Sequence, residues 1–382
     1  MVAGAPRRLG CPLVSDIVIG LSKSARAGYS FDDVAVAPHR RTRDPESVDL
    51  RWNMDAYSFE MPIVAAPMDS IVSPETAIAM GQAGGLAVLN LEGLWTRYED
   101  PTDAFAQIRA ADPSDALPVL QKLYAQPIQP HLIAARVQQM REAGITVAGS
   151  LSPQKTHDFF RDVISAGVDV FVIRGTTVSA EHVSAELEPL NLKQFIYELD
   201  VPVLVGGVAT YQSALHLMRA GAAGVLVGFG GGASHTTADV LGVRVPMATA
   251  VADVAAARRD YLDESGGRYV HVIADGAMGR SGDIVKAIAC GADAAMVGSP
   301  LARAQEAPGA GKHWGMEATH GELPRGEVVE FQTLGSWQEI LFGPSHVSDG
   351  TMNLTGALRR SIALCGYTDL KSFQRVEMVR SH

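Results

Sequence analysis

The 382-residue sequence predicts an α/β fold, a closed (β/α)8 barrel of the TIM type, and three observations carry that prediction. Short apolar runs recur eight times, amphipathic stretches lie between them, and five of those stretches close on a small residue and a glycine just before the next run.

The eight runs cover 62–66, 86–90, 146–151, 168–174, 202–206, 224–228, 271–275 and 294–298. They are continuous rather than alternating, which is the pattern of strands buried on both faces of a parallel sheet. The intervening helical stretches are 73–83, 130–143, 154–166, 211–220, 248–264 and 281–290, with a final one at 354–364. Gly84, Gly144, Gly167, Gly221 and Gly291 read as the residues that end helices in the left-handed conformation. Eight such units in series favour a closed barrel. An open doubly wound sheet is the alternative, but it carries a glycine-rich turn after its first strand, and here that strand runs into Pro67, Met68 and Asp69.

Two stretches break the rhythm. Residues 91–129, rich in Asp, Pro and Gln, are expected to hold extra helical turns before the second helix. Residues 301–349 lack periodicity and are the expected flap or lid, because loops at strand C-termini build barrel sites. Residues 1–28 read as a loose leader and 29–382 as the barrel domain.

Composition narrows the function classes. With 47% hydrophobic residues and 19% charged, the chain can bury a large core, so disorder and coiled coils are excluded. Lys plus Arg number 32 against 42 Asp plus Glu, a net charge of −10 that repels a phosphate backbone, so nucleic acid is not an expected partner. Cys11, Cys290 and Cys365 are too scattered for a disulfide framework or a thiolate zinc site. No metal site is expected, no window approaches the roughly 18 apolar residues of a membrane span, and a cytoplasmic protein is the reading.

The chemistry-bearing residues cluster where strands end. Asp275 and Gly276 follow the seventh run, Gly298 and Ser299 the eighth, and Gly228, Gly230, Gly231 and Gly232 the sixth. Glycines there let phosphate oxygens reach backbone N–H groups; the bland alternative is that they only make turns.

These residues belong to longer motifs. YSFDDV at 29–34, MPIVAAPMD at 61–69, VIADG at 272–276 with SGDIVKA at 281–287, GS at 298–299, LTGALR at 354–359 and CGY at 365–367 together resemble the IMP dehydrogenase and GMP reductase family over roughly residues 29 to 375. The resemblance implies a homotetramer, a purine nucleoside 5′-monophosphate site and hydride exchange with NAD or NADP, with a monovalent cation in the loop after strand six. Stretch 91–129 is too short for the paired cystathionine-β-synthase modules that the dehydrogenases carry there, so the chain resembles the shortened bacterial IMP dehydrogenase-related group.

Carried over residue by residue, the resemblance makes Asp275 the ribose ligand, Gly276, Gly298 and Ser299 the phosphate cradle, and Met68 a base contact, with Gly232, Gly315 and Met316 also on the substrate side. Gly175, Thr176, Gly228 and Gly230 fall on the dinucleotide side. Ala66 replaces a serine of the pattern and Ala277 a glycine, while Trp314 stands where a phosphate-binding tyrosine is usual.

The catalytic half departs further. GGASHTT at 231–237 has His235 where the family has the cysteine whose thiolate adds to purine C2, with Thr237 two residues on. Imidazole there suits a general base or a hydrogen-bond donor; a loop histidine satisfied by backbone is the alternative. The flap lacks the arginine-tyrosine pair that activates water, and Arg325 is the nearest candidate. Arg174 replaces an aspartate facing the dinucleotide ribose; it suits a 2′-phosphate, or a plain ion pair with a neighbouring loop carboxylate. Three functions therefore stand open: an oxidoreductase of this class, a catalytically silent purine-nucleotide-binding regulator or partner subunit, and a dehydrogenase acting on a different nucleotide.

Overall fold

The computed structural model describes residues 17–180, 182, 190–229, 231–319 and 326–381. Eight parallel strands close into a barrel: β1 (Ile63–Ala65), β2 (Leu86–Asn90), β3 (Ala148–Leu151), β4 (Val170–Arg174), β5 (Val203–Val208), β6 (Gly224–Val227), β7 (His271–Asp275) and β8 (Ala294–Val297). Closure comes from β8 pairing with β1, Ala295 opposite Ile63. The strands are buried almost throughout, which is why they read as unbroken apolar runs.

The outer ring is α1 (Pro74–Gln82), α2 (Pro130–Glu142), α3 (Pro153–Ala166), α4 (Leu192–Tyr197), α5 (Tyr211–Arg219), α6 (Met247–Glu264), α7 (Ser281–Ala289) and α8 (Leu354–Leu364). Local chemistry sets several starts. Ser73, Ser152, Asn191 and Thr210 each accept an N–H from the first turn, and proline follows the cap in α1 and α3. All five glycines expected at helix ends have positive φ, from +70° to +114°. Helix α4 was not among the expected helices.

The lower end of the barrel is plugged by a hairpin, Trp52–Met54 against Tyr57–Phe59. Trp52 stacks on Phe59 and its Nε1–H donates to His271 Nδ1 at 3.3 Å, at the N-terminal end of β7. Asp293, just ahead of β8, accepts from Arg258 at 2.7 Å, from Tyr269 at 2.7 Å and from the Val272 N–H at 2.8 Å. Within the expected leader, Ile17–Gly20 pairs with Lys23–Ala25. Residues 28–33 then run beside α6, where Tyr29 and Thr249 exchange two hydrogen bonds, and deliver Ser30, Phe31 and Asp32 to the upper face.

Between β2 and α2 stand two short helices, Thr102–Ala110 and Ala116–Tyr124, with no further module. After β8 the chain forms an antiparallel pair, Lys312–Trp314 with Val328–Glu330, a turn at Met316–Thr319 and a helix at Trp337–Phe342. Among the described residues no helix is long and apolar enough to cross a membrane.

Candidate functional site

The C-terminal ends of the strands surround two adjoining cavities. The smaller, about 300 Å³, lies over β1, β7 and β8 and is lined by Met68, Gly298, Ser299 and His313. The larger, about 550 Å³, opens over β2, β3 and β4 and is lined by Asn90, Ser152, Thr176, Gly228 and Met316. Arg174, Gly231, Gly232, His235, Asp275 and Gly276 line both and form the junction.

Backbone geometry explains the glycines. Gly228 has φ +116°, and a Cβ there would stand 2.4 Å from the Asp275 carbonyl oxygen. Gly276 has φ +99°, so the strand end turns sharply towards the junction. The next residue, Ala277, holds φ +56° although it is not glycine. At Gly298 a Cβ would make ordinary contacts, 3.6 Å from Met68 Sδ and 3.7 Å from His313.

Two buried polar pairs meet at the junction, one an ion pair and one a histidine–carboxylate contact. Arg174 Nε donates to Asp275 Oδ2 at 2.9 Å; their side chains are 14% and 10% exposed, which leaves solvent little role in screening them. Burial works against the Arg174 charge, but the Asp275 carboxylate more than offsets it and raises the guanidinium pKa. Arg174 thus forms an ion pair with a carboxylate at the end of β7, where the sequence reading had placed one in a neighbouring loop, and it also faces the larger cavity.

In the second pair, His235 Nε2 lies 3.2 Å from Glu317 Oε2, while Thr176 Oγ1 donates to Glu317 Oε1 at 3.2 Å. Burial lowers the His235 pKa against the pull of Glu317, so the resting imidazole is neutral. Burial opposes ionisation of Glu317, yet its neighbours, the permanent cation Arg174 among them, hold its carboxyl below the usual range. A carboxylate only accepts, so Nε2 carries the proton and Nδ1 keeps its lone pair. Nδ1 is buried without a hydrogen-bond partner among the described residues, and it lies against Gly232.

His313, rather than Trp314, faces the smaller cavity. Its Nδ1 meets Ser70 Oγ at 3.0 Å, and burial pulls its pKa down to about 3. Neighbouring side chains in a strand point to opposite sides, and Trp314, which stands in place of the usual tyrosine, turns into an apolar cluster where its Nε1–H donates to the Tyr124 hydroxyl.

Of the other expected residues, Gly175, Thr176, Gly228 and Met316 line the larger cavity. Gly315 lines neither cavity but backs directly onto the His235 ring. Thr237 is also outside both; its buried hydroxyl has no partner among the described residues. Gly230, Arg325 and Cys11 lie outside the described residues. Cys290 and Cys365 follow the ends of α7 and α8, away from the strand C-termini, and burial pushes the Cys290 thiol up to about 12. Sequence reasoning missed Glu317 and His313, although each sits beside a residue it named. It also missed Glu92, whose carboxylate accepts the Ser152 N–H at the wall of the larger cavity.

Residues 28–319 match the family described as the IMP dehydrogenase / GMP reductase domain. An uncharacterized oxidoreductase of Mycolicibacterium smegmatis is 52% identical over 94% of this chain and 98% of its own length. An inosine-5′-monophosphate dehydrogenase of Methanocaldococcus jannaschii is 26% identical, with 92% of each chain covered. The crystal structure of an IMP dehydrogenase/GMP reductase-like protein from Corynebacterium glutamicum superposes with a TM-score of 0.92 at 50% identity, covering 96% of this chain and 98% of that one.

Proposed function

The chain belongs to the IMP dehydrogenase / GMP reductase family, without its cystathionine-β-synthase modules, and we propose that it binds a purine nucleoside 5′-monophosphate in the smaller cavity and exchanges hydride with NAD or NADP in the larger one. The observation that supports this best is the junction: a carboxylate at a strand end, Asp275, and the neutral His235 stand where the two cavities meet. Gly276, Gly298 and Ser299 offer backbone and hydroxyl donors to a phosphate, and Asp275 keeps Oδ1 for a ribose hydroxyl while Oδ2 holds Arg174.

A nicotinamide dinucleotide, when bound, supplies the hydride acceptor or donor. The remaining work falls to this chain. His235 is the acid–base group: its bare Nδ1 is covered by Gly232 and takes a proton from a water or substrate group once that loop gives way, and Glu317 stabilises the resulting imidazolium through Nε2–H. His235 itself, then Arg174 and the Thr176 hydroxyl, favour the Glu317 carboxylate for that role. With no cysteine at this position, no thioimidate forms on the protein. Arg325 and Thr237 belong to the same proposal as flap and loop groups. The hydroxyls of Ser234 and Thr237, both buried and without a partner among the described residues, are the oxygens this loop offers a monovalent cation. A cytoplasmic homotetramer completes the reading by analogy with the family.

The test is a calorimetric titration with IMP and GMP beside an absorbance assay with each dinucleotide. Nucleotide binding with dinucleotide turnover and no adduct by mass spectrometry supports the proposal. Binding without turnover supports the second reading, a silent nucleotide-binding regulator, which the engagement of Asp275 by Arg174 favours. Absence of nucleoside monophosphate binding overturns both.

A further inference from the structure

Three segments distant in sequence meet on one hydroxyl. Tyr124, the last residue of the second insert helix, donates its O–H to Asp69 Oδ2 and accepts the Trp314 Nε1–H at 3.0 Å. The same carboxylate oxygen accepts the Leu94 N–H at 2.7 Å. All three side chains are buried, and Trp314 sits in an apolar cluster with Leu94, Phe105, Leu120 and Leu123 that is separate from the barrel core.

Trp314 stands three residues before Glu317. The chain between them is short and tightly turned, with the Ala318 N–H bonded to the Gly315 carbonyl at 3.1 Å. It also rests on the catalytic-loop histidine: a Cβ on Gly315 would come within 3.2 Å of Glu317 Oε2 and 3.4 Å of His235 Cε1. Segment 314–317 is therefore held at one end by Tyr124 and at the other by Thr176 and His235. It has no slack in which a shift of Trp314 could dissipate before reaching Glu317.

We propose that Tyr124 is a positioning residue that sets the Glu317 carboxylate against His235 through Trp314, so that the insert helices brace the acid–base pair. The inference rests on reading His235 and Glu317 as that pair. The brace acts on geometry: Tyr124 touches neither cavity, and its loss is felt where Glu317 receives Nε2–H.

The test reads the His235 tautomer by ¹⁵N NMR of histidine-labelled protein, with the resonance assigned by its loss in His235→Gln. In the parent protein Nε2 carries the proton and Nδ1 is bare, so the two nitrogens differ widely. Glu317→Ala removes the acceptor, mixes the tautomers and brings the two shifts together. Tyr124→Phe keeps the ring in its cluster and is expected to move His235 in the same direction, as is Trp314→Phe, which serves if Tyr124→Phe does not fold. Tyr98→Phe deletes another hydroxyl of the same cluster, bonded to the Leu123 carbonyl at 3.0 Å, and is expected to leave His235 unchanged. Unshifted His235 in both Tyr124→Phe and Trp314→Phe, or an equal shift in Tyr98→Phe, overturns the proposal. No nucleotide enters the experiment, so failure of IMP to bind would leave this result standing.

Discussion

Asp69 gives the site a measurable cost that depends on pH. Its carboxyl is 1% exposed, and Oδ1 has no hydrogen-bond partner among the described residues. Burial raises its pKa to about 6 from 3.8, and the hydrogen bonds from Tyr124 and Leu94 offset only part of that rise. A carboxyl whose folded pKa is raised favours folding fully below its unfolded pKa, and the benefit disappears as pH rises through the folded one. The difference of roughly two pKa units corresponds to about 3 kcal/mol lost between acid and neutral pH. Asp69→Asn abolishes that titration while keeping an acceptor oxygen. Its unfolding free energy relative to the parent should therefore grow by about 2 kcal/mol between about pH 4.5 and about pH 7.5, the part of the titration lying in that window. Urea unfolding of both proteins at several pH values measures it, with all shared titrations cancelling in the difference. A difference independent of pH would refute the buried-carboxylate account of Asp69.

Further outcomes follow from the same geometry. Gly298→Val should leave the barrel folded, because a Cβ meets its neighbours at ordinary distances, and should abolish IMP binding in calorimetry, because the branched side chain fills the cavity edge where phosphate would meet backbone. Asp275→Ala should destabilise the fold by roughly 3–5 kcal/mol in denaturant unfolding, since it strands the buried Arg174 charge, and Arg174→Ala in the same chain should recover much of the loss. A more conservative ribose test is Asp275→Asn, which should weaken IMP more than its deoxy analogue. Ala277→Gly should raise stability by up to about 1 kcal/mol, as relief of the left-handed alanine is partly cancelled by the added freedom of the unfolded chain.

The barrel was legible because burial on both faces forces continuous apolar runs, and each strand lies within two residues of its expected ends. Helix α4 was not, because it has six residues and buries two, too few to show a period. His313 was not picked out because a three-residue strand, 312–314, has no readable alternation, and its phase is set by the apolar cluster that takes Trp314. The polar pairs were invisible for a different reason. Arg174 and Asp275 are 101 positions apart, and Glu317 reaches His235 from another loop, so no spacing rule could join them. What sequence could supply was residue type at the strand ends and in the loops after them, which identified Arg174 and Asp275 singly and His235 but not Glu317.

Read as an acid–base group, His235 depends on the neighbours that reach it. A lone imidazole in the same loop would have either titrated freely or been silenced by burial. Here Glu317 stands ready to stabilise the imidazolium, and Arg174, tied to Asp275, opposes it while keeping Glu317 ionised. Burial, aided by Arg174, keeps the ring neutral, while the Glu317 carboxylate already at Nε2–H stabilises a proton taken up and lets it be returned. On the proposed function, the Arg174–Asp275 pair links His235 to the carboxylate assigned to ribose, so a nucleotide hydroxyl that engages Asp275 alters the charge balance these two groups exert on a ring kept neutral mainly by burial. A nucleotide bound there would make its own affinity and the proton affinity of His235 one linked equilibrium.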